Sequence, residues 1–157
     1  AGGVRNLYGH RLQLGADRWA ARIGARAGHA YARVVVMAGT ATTVDLLSAS
    51  GDFLGGLILP GVELMQQSLA KGTAQLPSAS GKFTLQPRCT LDAIRSGCLQ
   101  AQAGAVERKF RQIATHPNSL CLLSGGAADS FAELLDIPLR RIDNLVLHGL
   151  AVFAASP

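Results

Sequence analysis

Val34-Val35-Val36-Met37, then Ala38-Gly39-Thr40-Ala41, then Thr42-Thr43-Val44-Asp45-Leu46-Leu47 follow one another without interruption, and this stretch decides the fold. The first four residues are wholly apolar and β-branched as far as Val36, the pattern of a buried strand. Gly39 and Thr40 break it. The run from Thr42 to Leu47 resumes strand character. Ser50-Gly51-Asp52 then forms a turn, and Phe53-Leu54-Gly55-Gly56-Leu57-Ile58-Leu59 gives a third strand. Three consecutive strands joined by tight turns predict an antiparallel meander.

Working outward, the segment from Gly15 to Gly28 has helical character, with Trp19, Ala20, Ile23 and Ala27 on one stripe and arginines elsewhere. Beyond the meander, Pro60-Gly61 opens a helix whose apolar face is Val62, Met65 and Leu69 and which Gly72 stops. Residues 74–88, with Pro77, Gly81 and Pro87, read as a loop. Thr90 caps a long helix reaching about Ala114, with Asp92 favoured in its first turn by the helix dipole. Leu120-Cys121-Leu122-Leu123 is a further buried strand, closed by Ser124-Gly125-Gly126. A helix around Ser130–Leu135 follows, and a last one spans roughly Asn144–Ala154. No repeat, linker or low-complexity tract divides the chain, so residues 1–157 read as a single α/β domain.

Composition narrows the class of function. Hydrophobic residues make up 48% of the 157 and charged ones 16%, which suits a packed α/β protein and excludes a disordered chain. No apolar run approaches the roughly 18 residues needed to span a bilayer, and no secretion signal is visible. The expectation is a soluble, cytoplasmic protein with no membrane partner. Cys89, Cys98 and Cys121 are odd in number and lack a C-x-x-C pair, so buried reduced thiols are expected rather than disulfides or a zinc site. His10, His29, His116 and His148 are not at metal-ligand spacing, and no protein-held metal is expected. The net charge is +5, but the arginines are scattered rather than striped with aromatics, which argues against nucleic acid. Most of them read as surface arginines, with one or two meeting an anionic ligand.

Two motifs carry chemistry. Gly15-Ala16-Asp17-Arg18 stands at a helix start, where a carboxylate can accept a hydroxyl proton and a guanidinium can grip an anion. Helix N-terminal amides add anion-binding capacity. Taken alone, these four residues read better as an ordinary acidic first turn beside a surface arginine. The second motif is the turn Ala38-Gly39-Thr40-Ala41, whose small residues let backbone amides and hydroxyls approach a phosphate. It is no P-loop, since G-x-x-x-x-G-K-[ST] is absent, and taken alone it reads as an ordinary hairpin.

Taken in order, Leu14-Gly15-Ala16-Asp17-Arg18-Trp19, Ala38 to Asp45, Leu54-Gly55-Gly56-Leu57-Ile58-Leu59-Pro60-Gly61, Thr73-Ala74-Gln75-Leu76-Pro77 and Leu123-Ser124-Gly125-Gly126 resemble the type III pantothenate kinases, including their Bvg accessory factor-like members. The resemblance runs through essentially the whole chain. It implies the actin/Hsp70/acetate-kinase-like (ribonuclease H-like) α/β fold, of which this chain is one half of a duplicated kinase, an antiparallel meander followed by helices. It implies a homodimer that phosphorylates pantothenate with ATP and Mg²⁺. Asp17 would be the general base. Tyr8, Gly15, Ala16, Asp17, Arg18 and Thr73 would bind pantothenate, while Thr40, Gly125 and Gly126 would meet ATP. Gly55, Gly56, Pro60 and Gly61 look like the subunit-interface motif.

Two departures from the family pattern stand out. Nothing here matches the family's D-x-G-N-T phosphate loop, so the chain reads as the C-terminal portion without the first half. Where most members carry an aspartate that binds a monovalent cation (K⁺ or NH₄⁺), this sequence has Met37, with Asp45 on the following strand as a possible substitute. A non-catalytic accessory or regulatory relative, and a different small-molecule kinase of the same superfamily, are the competing readings.

Overall fold

A computed structural model describes residues 2–7, 9, 14–27, 30–72 and 81–155. In chain order its elements are β1 (Arg5–Asn6), α1 (Ala16–Arg26), β2 (Arg33–Ala38), β3 (Ala41–Leu47), β4 (Asp52–Pro60), α2 (Val62–Gly72), α3 (Thr90–Phe110), β5 (Leu120–Ser124), β6 (Leu139–Arg141) and α4 (Leu145–Ala154). Two single 3₁₀ turns, Ala128–Ser130 and Ala132–Leu134, lead into β6.

The strands form one sheet in the order β1-β4-β3-β2-β5-β6. The expected meander is there: β2 pairs antiparallel with β3 (Val36 opposite Val44), and β3 with β4 (Val44 opposite Leu57). A bulge at Leu54 shifts the register, and Gly55 takes the positive φ of 108° that such a kink requires. On the other edge of β2, β5 and then β6 add in parallel. A meander extended by parallel strands, with helices on both faces, is a mixed-sheet α/β architecture, as expected from the sequence.

Period-two alternation sends each strand's side chains to two unlike cores. Val34, Val36, Val44, Leu46, Cys121 and Leu123 meet Leu99, Val106 and Phe110 of α3. Val35 and Leu122 meet Ala21 and Ala25 of α1 and Leu145 of α4, while Leu47 packs with Val4 and Ile23.

Several local expectations need correction. Thr90 is the first helical residue rather than the cap, which is Cys89. The helix ends at Phe110, short of Ala114, because Ile113 N bonds to Phe110 O and the chain tightens into turns. The Ser130–Leu135 helix is instead a pair of 3₁₀ turns, split by Phe131 at φ −135°. Cys98 and Cys121 are buried as expected, but Cys89 is exposed. Burial pushes the Cys98 thiol up and the Cys121 thiol up to about 12. The largest departure concerns charge. Arg18, Arg22 and Arg33 are only 7%, 0% and 4% exposed, not surface arginines.

Candidate functional site

The Gly39-Thr40 turn between β2 and β3 and the loop after β5 emerge at the same end of the sheet, because β5 runs parallel to β2 with Ser124 beside Met37. Backbone bonds hold the two together. Ala127 N donates to Ala38 O at 3.0 Å, and Gly61 N donates to Thr40 O at 2.7 Å, bringing the start of α2 alongside. Gly125 sits at φ 102°, and a Cβ there would collide with the Ala38 backbone, so only glycine fits this approach. The result is a cleft of about 470 Å³ lined by Gly39, Thr40, Glu63, Arg95, Gly126 and Ser130, among others.

Thr40 and Gly126 are thus brought together, 86 positions apart in sequence. The cleft offers an exposed hydroxyl-bearing turn, small residues that admit a phosphate, and one guanidinium. That guanidinium is Arg95 of α3, whose Nη1 donates at 3.3 Å to the neutral Gln66 Oε1. Glu63 supplies the single carboxylate on the wall among the described residues. Neither Glu63 nor Arg95 was expected from sequence. Glu63 could have been found, since Pro60-Gly61 starts its helix directly beside a recognised motif; Arg95 has no such neighbour in the chain.

The second motif lies elsewhere. Gly15 caps α1 through its carbonyl, which accepts from Trp19 N at 3.0 Å. Ala16 and Asp17 are exposed in the first turn. A Cβ on Gly15 would stand 2.6 Å from Asp17 Oδ1, so glycine leaves room for that carboxylate to fold back over the helix start. None of these residues lines the cleft at Thr40. Arg18 turns into the fold, where Nη2 bonds Asp45 Oδ1 and Nε bonds Oδ2 at 3.2 Å. Arg22, one turn on, donates to the same Oδ2 through Nη2 at 2.9 Å and stacks 3.5 Å above the Phe53 ring. Gly56 lies opposite Asp45, and a side chain there would strike its carboxylate. Tyr8 and Thr73 lie outside the described residues.

Met37 is half-buried at the edge of a smaller cavity of about 340 Å³ with Ser124, Gly125, Asp143 and Asn144. A thioether is a poor ligand for a hard cation. Asp45 does not substitute, because both its oxygens are occupied by Arg18 and Arg22. Asp143 faces Arg141 at 3.4 Å. These residues do not fit a carboxylate-anchored K⁺ site.

Of the interface candidates, Gly55, Gly56 and Pro60 lie on β4 and Gly61 just after it. Beyond Asp52 and Phe53, which pair with β1, the outer edge of β4 has no strand neighbour among the described residues. Leu54, Leu57 and Ile58 are exposed along it. No helix among the described residues is long and apolar enough to cross a membrane.

The family model for type III pantothenate kinase matches residues 1–112. A protein of that name from Aromatoleum aromaticum is 65% identical over 152 residues, which are 97% of this chain and 63% of the relative. Another, from an Azoarcus species, is 58% identical over 98% of this chain and 59% of its own length. A solved Campylobacter jejuni structure, described as a conserved Baf family transcriptional activator, superimposes with a TM-score of 0.71 at 23% identity, covering 96% of this chain and 67% of that one. That likeness speaks to the fold alone. The chain spans about three fifths of the length of the curated relatives it matches. From the family match, the relatives and the sheet that carries the motifs, this chain belongs to the type III pantothenate kinase family.

Proposed function

We propose that this chain is the C-terminal portion of an ATP-dependent kinase that phosphorylates pantothenate to 4′-phosphopantothenate, the first step of coenzyme A biosynthesis, in the cytoplasm. The observation that carries the reading is the convergence of Thr40, Gly126 and Arg95 on one cleft. Phosphoryl transfer asks chiefly for positioning and charge stabilisation. The Thr40 hydroxyl and the turn's amides would hold ATP phosphate, with Arg95 compensating charge that builds on the transferred group. Gly125 and Gly126 would lie against the adenosine. Mg²⁺ takes oxygen ligands and shares them with substrate phosphates, a donor set to which Glu63 and Thr40 are suited. When bound, it would neutralise phosphate charge.

Asp17 would take the proton from the pantothenate hydroxyl as that oxygen attacks the γ-phosphorus and the bond to ADP breaks. Its exposure at a rigid helix start supports that role. Tyr8, Gly15, Ala16 and Thr73 would line the pantothenate site. Arg18 would contribute by fixing the helix start rather than by a free guanidinium, given its bonds to Asp45. The open apolar edge of β4 supports a homodimer through Gly55, Gly56, Pro60 and Gly61. With Met37 in place of the usual aspartate, activation by K⁺ or NH₄⁺ should be weak.

The test is Asp17→Asn in a protein of its relatives' full length. Turnover should fall about 10²- to 10⁴-fold, as for loss of a general base. The 157-residue chain alone should turn over little. Wild-type turnover by Asp17→Asn would sink the assignment. One observation favours a second reading, a non-catalytic accessory relative: the burial of Arg18 against Asp45 gives it a purely structural occupation. Binding of ATP and pantothenate without turnover in the full-length protein would select that reading.

A further inference from the structure

Arg33 differs from the other two buried arginines. Its Nη1 donates to the carbonyls of Ala32 at 3.0 Å and Asn118 at 2.9 Å, and its guanidinium stacks 5.4 Å from the Tyr31 ring. No carboxylate pairs with it among the described residues, and its buried Nε has no hydrogen-bond partner there. Burial lowers its pKa, and the guanidinium groups of Arg140 and Arg26 lower it further. A desolvated charge whose charged neighbours are chiefly of its own sign is costly, and nature's usual remedy is an anion.

The geometry supplies a place for one. Arg33 lies on the face of the sheet covered by α1 and α4, and so does Arg140 of β6, which pairs with Leu122 of β5. Both line a groove of about 760 Å³ that runs between β6 and those helices. His148 stands on the α4 wall, and Leu122, Ile142 and Leu147 supply apolar sides. Among the described residues the one acid on the lining is Asp143, which already faces Arg141 at 3.4 Å. None of the Thr40 cleft residues takes part.

We propose that this groove is a second ligand site, separate from the nucleotide cleft, which takes the oxyanion (phosphate or carboxylate) of a small molecule with an apolar body. The anion would bridge Arg33 and Arg140, and the apolar part would lie on Ile142 and Leu147. The proposal stands whether or not the chain takes part in phosphoryl transfer.

Phenyl phosphate and benzoate are the probes, titrated into the 157-residue chain and followed by amide NMR shifts and calorimetry. At least one should produce saturable shifts at Arg33, Leu120 and Ile142, and which one binds names the oxyanion. Arg140→Glu, an exposed substitution that leaves the core alone, should weaken binding about tenfold to a hundredfold, the range for a charge-assisted bond. Added KCl should weaken it too. The proposal is overturned if neither probe gives saturable shifts in the groove, or if Arg140→Glu binds like the wild type. It is equally overturned if the shifts centre on Gly39 and Thr40 and disappear with Arg95→Gln, which would assign the anion to the nucleotide cleft.

Discussion

Both faces of the sheet bury apolar side chains, but the one under α1 and α4 adds a cluster of buried charges. Under α3, the interior of the sheet is Val34, Val36, Val44, Leu46, Cys121 and Leu123, a core held by apolar transfer and close packing. Under α1 and α4, Asp45 stands between Arg18 and Arg22, with Phe53 beneath the Arg22 guanidinium. The first face is forgiving, since its contacts are many and non-directional. The second is conditional: each charge is acceptable only while its partner is present. The recognised helix motif sits on the conditional face, so its geometry depends on a strand residue 27 positions away.

The strongest way to break this contrast is Asp45→Ala. It leaves two guanidinium groups buried without their carboxylate and should cost about 3–5 kcal/mol in urea unfolding. A loss below 1 kcal/mol would mean that the buried charges are not mutually dependent. On the apolar face, Val36→Ala removes two methyl groups from a fully buried site, a cost of about 2 kcal/mol counting transfer and residual cavity. If that substitution proved costlier than Asp45→Ala, the two faces would have to be ranked the other way.

A charge can also be forced onto the apolar face by pH. The Cys121 thiol, held up at about 12 by burial, keeps its proton in the fold where the unfolded thiol loses it near pH ~8.5. Its contribution is therefore complete below about pH 8.5 and is lost as the pH rises toward 12, at a slope of about 1.4 kcal/mol per pH unit. Urea midpoints at pH 9, 10 and 11 should fall faster in the wild type than in Cys121→Ala; parallel slopes would contradict it. The smallest effect belongs to Asp17→Asn, where only a first-turn dipole interaction of about 0.3–1 kcal/mol is at stake. A large loss of stability there would show that Asp17 is built into the fold and is no exposed functional group.

The forgiving face was the legible one. Val34-Val35-Val36 and Leu120-Cys121-Leu122-Leu123 are apolar runs that declare themselves as buried strands, and the meander followed from its turn residues. The parallel pairing of β2 with β5 was not readable, since it depends on α3 carrying the chain back across the sheet. Nor was β6, because Leu139-Arg140-Arg141 is too short and too charged to look like a strand. The conditional face was misread for a related reason. Arginines at 18 and 22, one helical turn apart, look like a solvated edge unless Asp45 is known to lie under them. At the site, the turn holding Thr40 was singled out by its small residues, and Gly125 and Gly126 by the family resemblance. Arg95 and Glu63 were not, because they reach the cleft only through the placement of their helices.

The bonds from Ala127 to Ala38 and from Gly61 to Thr40 have a mechanical consequence. They tie the glycine loop to one side of the phosphate-side turn and the head of α2 to the other. Each wall is thus tied to the turn by a backbone bond, so parting them means breaking one.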